Sequence, residues 1–447
     1  MKKSTLLMTL LTMMVFLLAA CNADKETETD EPEKGQAAQS DEKTEVVFWH
    51  AMSGKLEEVV NELVDDYNNQ QDDIAVKAVF QGTYEEAITK FNTVAGTKDA
   101  PTIMQVFEVG TKYMIDSGKI EPVQKFIDAE KYDTSKWEKN ITNYYNVDGV
   151  QYSMPFNSST PVLIYNKDAF KEAGLDTEKP PATYEELKTA AKALTTKDQY
   201  GFSVLNYGWF IEELIAAQGG LFVNEENGRA GNATEAVFNG KEGQEVFNLI
   251  SSMYKDGTFY NSGQNWDDIR AAFQSGKIAM YLDSSAGVRD IVEQSSFDVG
   301  TGYLPVPEKS EWEGVVIGGA SLWMANEIEE SQQKAAWEFM KYLASPEVQA
   351  KWHVNTGYFA INTDAYDQEI VKSEWEKYPQ LKVTVDQLGD TNTSIATQGA
   401  LISVFPETRQ KVVNAMESLY QGTDSKEALD QAAKATNDAL EMANRKK

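Results

Sequence analysis

Hydrophobic and polar positions along this chain switch between two periods, and the switches mark its elements. Residues 46–49 (Val-Val-Phe-Trp) make a short unbroken apolar run, as a buried strand does. Leu56, Val59, Val60, Leu63, Val64 and Tyr67 follow at spacings that place them on one face of a helix. Residues 74–80 predict a second strand, 84–95 a second helix and 102–107 a third strand. This succession predicts an α/β fold whose parallel sheet is covered by helices on both faces. The same style resumes later. Thr183-Tyr-Glu-Glu186 has the spacing of a capping box. Ser345-Pro346 offers an N-cap and an N1 proline, after a helix whose inner face is Ala336, Phe339, Met340 and Leu343. No repeat or linker interrupts the chain after residue 44, so two lobes would have to be joined by a chain crossing between them more than once.

The first 44 residues follow neither period. Lys2 and Lys3 precede an apolar run over residues 6–18, which ends in Leu18-Ala19-Ala20-Cys21. A charged start, an apolar stretch and small residues before a break describe an export signal. The run is too short to span a bilayer comfortably, which takes roughly 20 residues. Cys21 is the single cysteine of the chain. Residues 22–44 carry no aromatic and no branched aliphatic side chain, a composition that predicts a tether unable to bury enough apolar surface to fold.

Composition narrows the function. Acidic residues number 70 against 41 basic ones, for a net charge of −29. Cleavage before Cys21 would remove Lys2 and Lys3 and take it to −31. Such a chain is ill suited to nucleic acid or to an anionic lipid surface. With no cysteine after Cys21 there is no intrachain disulfide, so a packed core must carry stability. His50 and His353 are the only histidines, too few with no thiol cluster for a zinc site, and neither metal nor cofactor is expected. Catalytic patterns are also missing. There is no Gly-x-Ser-x-Gly elbow, and Ser252-Met-Tyr-Lys255 has serine–lysine spacing without companion motifs. Gly300-Thr-Gly302 lacks the third glycine of a dinucleotide site. A secreted glycosidase or phosphodiesterase is the alternative from the enzyme class, and product formation from glycerophosphodiesters would reveal it.

Several stretches carry a resemblance. Leu18-Ala-Ala-Cys21 resembles the lipobox of bacterial lipoproteins, which implies cleavage before Cys21 and a lipid on its sulfur. Residues 155–172 (Pro-Phe-Asn-Ser-Ser-Thr-Pro-Val-Leu-Ile-Tyr-Asn-Lys-Asp-Ala-Phe-Lys-Glu), with Ala173-Gly-Leu and Pro180-Pro181 after them, resemble the signature of the large sugar-type solute-binding proteins of bacterial ABC importers, extracellular solute-binding family 1. Residues 273–280 and Ala344-Ser-Pro-Glu347 resemble further stretches of that family, and the likeness covers residues 45–447. It implies a periplasmic-binding-protein-like fold: two α/β lobes, a hinge of crossing strands and a ligand cleft between them. The implied division is a signal peptide at 1–20, a tether at 21–44, an N-terminal lobe at 45–152 and 316–346, and a C-terminal lobe at 153–315 and 347–447. It also implies a monomeric, non-enzymatic receptor that hands a small molecule to permease subunits, and the lipobox likeness implies that it is lipid-anchored on the outer face of the cell membrane.

Within the family, Phe48-Trp-His50, residues 105–111, residues 155–161, Ile317-Gly-Gly-Ala-Ser-Leu-Trp323 and Thr356-Gly-Tyr358 are similar to the branch that binds glycerol 3-phosphate. That likeness implies a ligand site of Tyr84, Glu108, Ser159, Trp209, Ser284, Gly319, Tyr358 and Arg409. Residues 401–405 (Leu-Ile-Ser-Val-Phe) depart from the family's glycine- and asparagine-containing stretch just before Arg409. The residue types suit the ligand. Ser159, Ser284, Tyr358 and the Gly319 N–H can donate to a phosphate, and Arg409 can oppose it with a planar fork. Gly318-Gly319 admits a close backbone. Glu108 and Tyr84 can take polyol hydroxyls while Trp209 stacks on carbon. A neutral sugar or oligosaccharide in the same fold is the nearer alternative, against which stand Arg409 and the paired serines.

Overall fold

The structure, a computed structural model, describes residues 43–445. The expected signal peptide, Cys21 and nearly all of the tether lie outside the described residues. Thirteen strands are present among those described: β1 (Thr44–His50), β2 (Ile74–Phe80), β3 (Ile103–Phe107), β4 (Ile120–Glu121), β5 (Asn146–Val147), β6 (Val150–Gln151), β7 (Met154–Ser159), β8 (Pro161–Asn166), β9 (Phe202–Val204), β10 (Phe259–Tyr260), β11 (Met280–Ser284), β12 (Val299–Gly302) and β13 (Gly318–Ala325). β5 and β6 pair only with each other. The rest form two sheets, ordered β2-β1-β3-β13-β4 with β7 also on β13, and β10-β9-β11-β8-β12.

The first sheet starts as the pattern predicts. β1 runs parallel to both β2 and β3, with Phe48 opposite Ala78 and Ile103. The helix Lys55–Gln70 between them buries Val59, Val60, Leu63, Val64 and Tyr67, the face read from the spacing. Beyond β3 the expectation of a parallel sheet fails, because β13 pairs antiparallel with β3, β4 and β7. β13 enters from the second sheet's side of the molecule, so it meets β3 running the other way. The second sheet is mixed too: β8 is antiparallel to β11 and β12, while β9 is parallel to β10 and β11.

These two sheets make the fold two-lobed, and the chain crosses between them three times. It leaves the first sheet with β7, passes buried Thr160 and enters the second with β8. The expected division at 152/153 therefore falls before β7. β13 carries the chain back. The helix Pro346–Thr356, expected in the C-terminal lobe, packs on the helix Lys55–Gln70, where Lys351 meets Asp66 at 2.7 Å, and its Trp352 stacks on Phe156 of β7 at 4.5 Å. Phe359 then bridges to Ser158 before the helix Pro379–Gly389 reaches β12, where Gln380 donates to the Val299 carbonyl.

Helix starts follow the sequence with two shifts. Thr183 accepts from the Glu186 N–H, but the Glu186 carboxylate accepts from Ala182 instead of completing the box on Thr183. Ser345 is the N-cap residue, with Pro346 at N1, yet its hydroxyl donates back to the Tyr342 carbonyl. A complete box forms at Thr83 and Glu86 and opens the helix Tyr84–Val94.

His353 ties the third crossing together. It is fully buried, with Nδ1 2.7 Å from the Tyr358 carbonyl and Nε2 3.1 Å from the Trp375 indole nitrogen. An indole N–H can only donate, so Nε2 accepts and Nδ1 carries the proton. Burial pulls the pKa from 6.5 down to about 4. The unfolded chain would take up this proton near 6.5, so the contribution to stability is complete above that value and is lost as pH falls toward 4. Nitrogen NMR at about pH 5.5 should find His353 neutral with Nδ1 protonated. A charged imidazole at that pH would contradict the assignment.

Candidate functional site

Strand ends build the cleft. Glu108 follows the carboxyl end of β3, Ser159 ends β7, Ser284 ends β11, and Gly319 lies at the start of antiparallel β13, so all four reach the same edge. Ligands of open α/β sheets sit outside the carboxyl ends of their strands. Together with Tyr84, Trp209 and Tyr358 these residues line one cavity of about 350 Å3. Seven of the eight site residues expected from sequence are thus brought together. Arg409 is not among the lining residues.

Tyr84 opens its helix, stacks on Phe107 at 5.3 Å and receives a hydrogen bond from Asn157 Nδ2 at 2.9 Å. Asn157 is held in turn by Gln105, which accepts from the Ala51 N–H, so a buried relay fixes the phenol. Burial pushes the hydroxyls of Tyr84, Tyr207 and Tyr358 upward, so each keeps its proton. With Asn157 donating to it, Tyr84 has its own hydrogen left to give, a donor role beside the accepting one expected.

Trp209 lies near the start of the helix Gly208–Ala216. A Cβ on Gly318 would stand 2.7 Å from its Cζ2, and one on Gly319, at φ +95°, would stand 1.8 Å from the Asn157 carbonyl oxygen. The glycine pair therefore makes room for the indole and for β7 as well as for anything in the cleft. Trp209 Nε1 is buried and has no hydrogen-bond partner among the described residues. It offers a donor that a purely stacking role does not use.

Arg409 lies behind Glu108. Its Nη1 donates to Glu108 Oε1 at 2.6 Å, while Nη2 and Nε donate to Glu212 Oε2 at 2.6 and 3.2 Å. The three side chains are 7%, 5% and 3% exposed. All three nitrogens of the fork expected to face a phosphate are thus directed at carboxylates. Glu212 was not singled out from sequence, although a signal existed: Glu212 and Glu213 are two acids inside a nine-residue helix whose other residues are all uncharged, and the whole helix is buried. Burial and then the Glu212 charge raise Glu213 well above the carboxylate range, so it is neutral and accepts from the Val316 N–H. The divergent residues before Arg409 face the core. Leu401 and Ile402 are buried, and the Leu401 N–H donates to the Asn227 carbonyl.

Cations also line the cavity that the sequence reading passed over: Lys55, Arg270 and Arg289. Aromatic Tyr207 and Trp266 meet edge to face beside them at 5.8 Å. No histidine lines this cavity, and the described residues include no group of three or more His, Cys, Asp or Glu able to hold a metal ion. None of their helices is long and apolar enough to cross a membrane.

Known proteins share this plan. Residues 62–383 match the family described as bacterial extracellular solute-binding protein. The sn-glycerol-3-phosphate-binding periplasmic protein UgpB of Pectobacterium atrosepticum is 35% identical over 89% of this chain and 91% of its own. The protein of that name from Brucella abortus is 33% identical over 90% of this chain and 94% of its own. Among solved structures, UgpB from Mycobacterium tuberculosis in complex with glycerophosphocholine superposes with a TM-score of 0.77 at 20% identity, over 89% of this chain and 98% of that one. The sugar-binding protein MalE from Xanthomonas citri gives 0.76 at 21% identity, over 90% and 98%. At those identities the two structures speak for the fold alone. The sequence matches go further: the chain belongs to the bacterial extracellular solute-binding protein family, a solute-binding protein of the ABC-importer class and not an enzyme.

Proposed function

We propose that this protein is the lipid-anchored receptor of a bacterial ABC importer and binds sn-glycerol 3-phosphate, or a glycerophosphodiester, in the cleft between its lobes. The observation that carries the reading is the convergence of seven separately encoded residues, Tyr84 to Tyr358, on one cavity. The ligand for which relatives at 33–35% identity are named supports it. In this reading Ser159, Ser284, Tyr358 and the Gly319 N–H hold the phosphate, and Glu108 takes the polyol hydroxyls beside Tyr84 and Trp209. Arg409 acts through Glu108, which it orients by the 2.6 Å contact from Nη1. Contacts from both lobes favour the closed form, and the closed form docks on the permease. The lobe bounds are proposed from sheet membership, and the monomeric state from the absence of any need for a second chain at the cleft. At physiological salt a Debye length of about 8 Å screens the acidic surface, so local donors decide anion binding.

A neutral sugar is the second reading, favoured by one feature: the Arg409 charge is already met by two carboxylates. Calorimetry with glycerol 3-phosphate, glycerophosphocholine, maltose and inorganic phosphate separates the two. The proposal expects heat from the first two and none from maltose; tight maltose binding with silent phosphate esters would reverse the order.

Removing Arg409 tests the buried triad. Arg409→Ala leaves two buried carboxylates without their cation, which typically costs about 3–5 kcal/mol of stability. Denaturant unfolding should show that loss, with ligand binding weakened as well. Lost binding at unchanged stability would move Arg409 from the glutamates to the ligand.

Anchoring rests on Cys21. Cys21→Ala should release a folded protein from membranes into the soluble exported fraction, because two or three acyl chains, at about 0.8 kcal/mol per buried methylene, supply the attachment. A variant that stays on membranes through high-salt washing would refute the lipobox reading.

A further inference from the structure

Three cations line the cleft, and their surroundings separate them. Arg289 is committed: its guanidinium meets Glu293 and Glu374 and donates to the Val354 carbonyl at 2.6 Å. Lys55 is more than half exposed and faces Asp290 at 3.8 Å. Arg270 differs from both. Its Nε and Nη2 grip the two oxygens of Asp283, each at 2.9 Å. Nη1 has no hydrogen-bond partner among the described residues, so one edge of the fork is uncommitted.

Asp283 is built to hold that guanidinium. It is fully buried, and it also accepts from the Tyr281 hydroxyl at 2.9 Å and from the Ser284 N–H at 2.6 Å. Arg270 is thereby locked to the backbone of Ser284, a residue of the proposed phosphate site. Trp266 supports the guanidinium from another side, with its ring centre 5.2 Å away. Gly287 leaves the space, since a Cβ there would come within 2.7 Å of Arg270 Nη2. Across the cleft, burial raises the Tyr358 hydroxyl while Asn157 and the Arg270 charge pull it down, so Arg270 acts on Tyr358 electrostatically.

We infer that Arg270 is the cation of the phosphate subsite and that it makes the protein prefer a phosphate monoester over a diester. The inference rests on the proposed glycerol phosphate reading and takes it further. Hydroxyls and a backbone N–H can serve either ester. A fixed guanidinium adds Coulomb attraction that grows with ligand charge, and a monoester is close to a dianion well above its second pKa of about 6, whereas a diester keeps a single charge. Arg409 cannot fill this role while both its carboxylates are in place. Fixing the donor in advance also spares the cost of ordering it on binding.

The test is calorimetric titration at about pH 8 of wild type, Arg270→Lys and the double variant Arg270→Gln/Asp283→Asn, with glycerol 3-phosphate and with glycerophosphocholine. The double variant removes both charges together, so no buried carboxylate is stranded, and its thermal unfolding is measured alongside. Expected are a loss of at least tenfold for the monoester in the double variant, a clearly smaller loss for the diester, and an intermediate value for Arg270→Lys. Monoester affinity unchanged in the double variant, or equal losses for the two esters, would overturn the assignment and leave the glycerol phosphate reading standing. Wild type that binds neither ester would overturn that reading itself, and the inference with it.

Discussion

The cleft depends on a charge that is never shown to solvent. Arg409 lies between Glu108, at the edge of the first sheet, and Glu212, in a helix beside the second, so one guanidinium joins the two lobes behind the cavity. Removing such ions from water costs several kcal/mol each, and only good geometry offsets it. Here each carboxylate gets its own contacts at 2.6 Å. The neighbourhood bends to that need. A Cβ on Gly208 would press within 2.8 Å of Arg409, so the helix carrying Trp209 can close on it only with glycine there. Trp209 in turn fills the space left open by Gly318. The position of the indole in the cleft is therefore a consequence of how the arginine is buried.

Short-range order was legible in the sequence, and long-range order was not. The helix face from Val59 to Tyr67 and the strand at 74–80 are as the spacing gave them, because periodicity reports which side of an element is buried. It carries no information on strand direction, so the antiparallel entry of β13 beside β3 could not be read from it. The same limit explains the site. Glu108 and Glu212 stand 301 and 197 positions from Arg409, and no local pattern links them. The cavity residues were found through family resemblance, since an isolated serine, tyrosine or glycine reads locally as an ordinary turn or surface residue. Trp209, in the glycine-broken aromatic stretch Asn206-Tyr-Gly-Trp-Phe, was the one with a local signal of its own. Arg270 was hidden for a related reason. On the helix Trp266–Gln274 it has the look of a solvated residue, and only the fold brings Asp283 beneath it.

Rim and floor of the cleft play different parts. Lys55, at the start of one helix, and Asp290, on a helix beside the second sheet, face each other at 3.8 Å across the mouth, both more than half exposed. A pair of that kind contributes about 0–1 kcal/mol and is screened by salt, so it cannot decide whether the lobes stay together. The floor is different. Tyr84, Trp209 and Tyr358 supply protonated or neutral donors that water reaches poorly, and in such surroundings a hydrogen bond to a charged ligand is stronger than in water. A ligand able to meet the hydroxyls of both lobes at once would gain at the floor what the rim cannot supply. Closure governed there responds to the shape and charge of the ligand, whereas closure governed at the rim would respond mainly to salt.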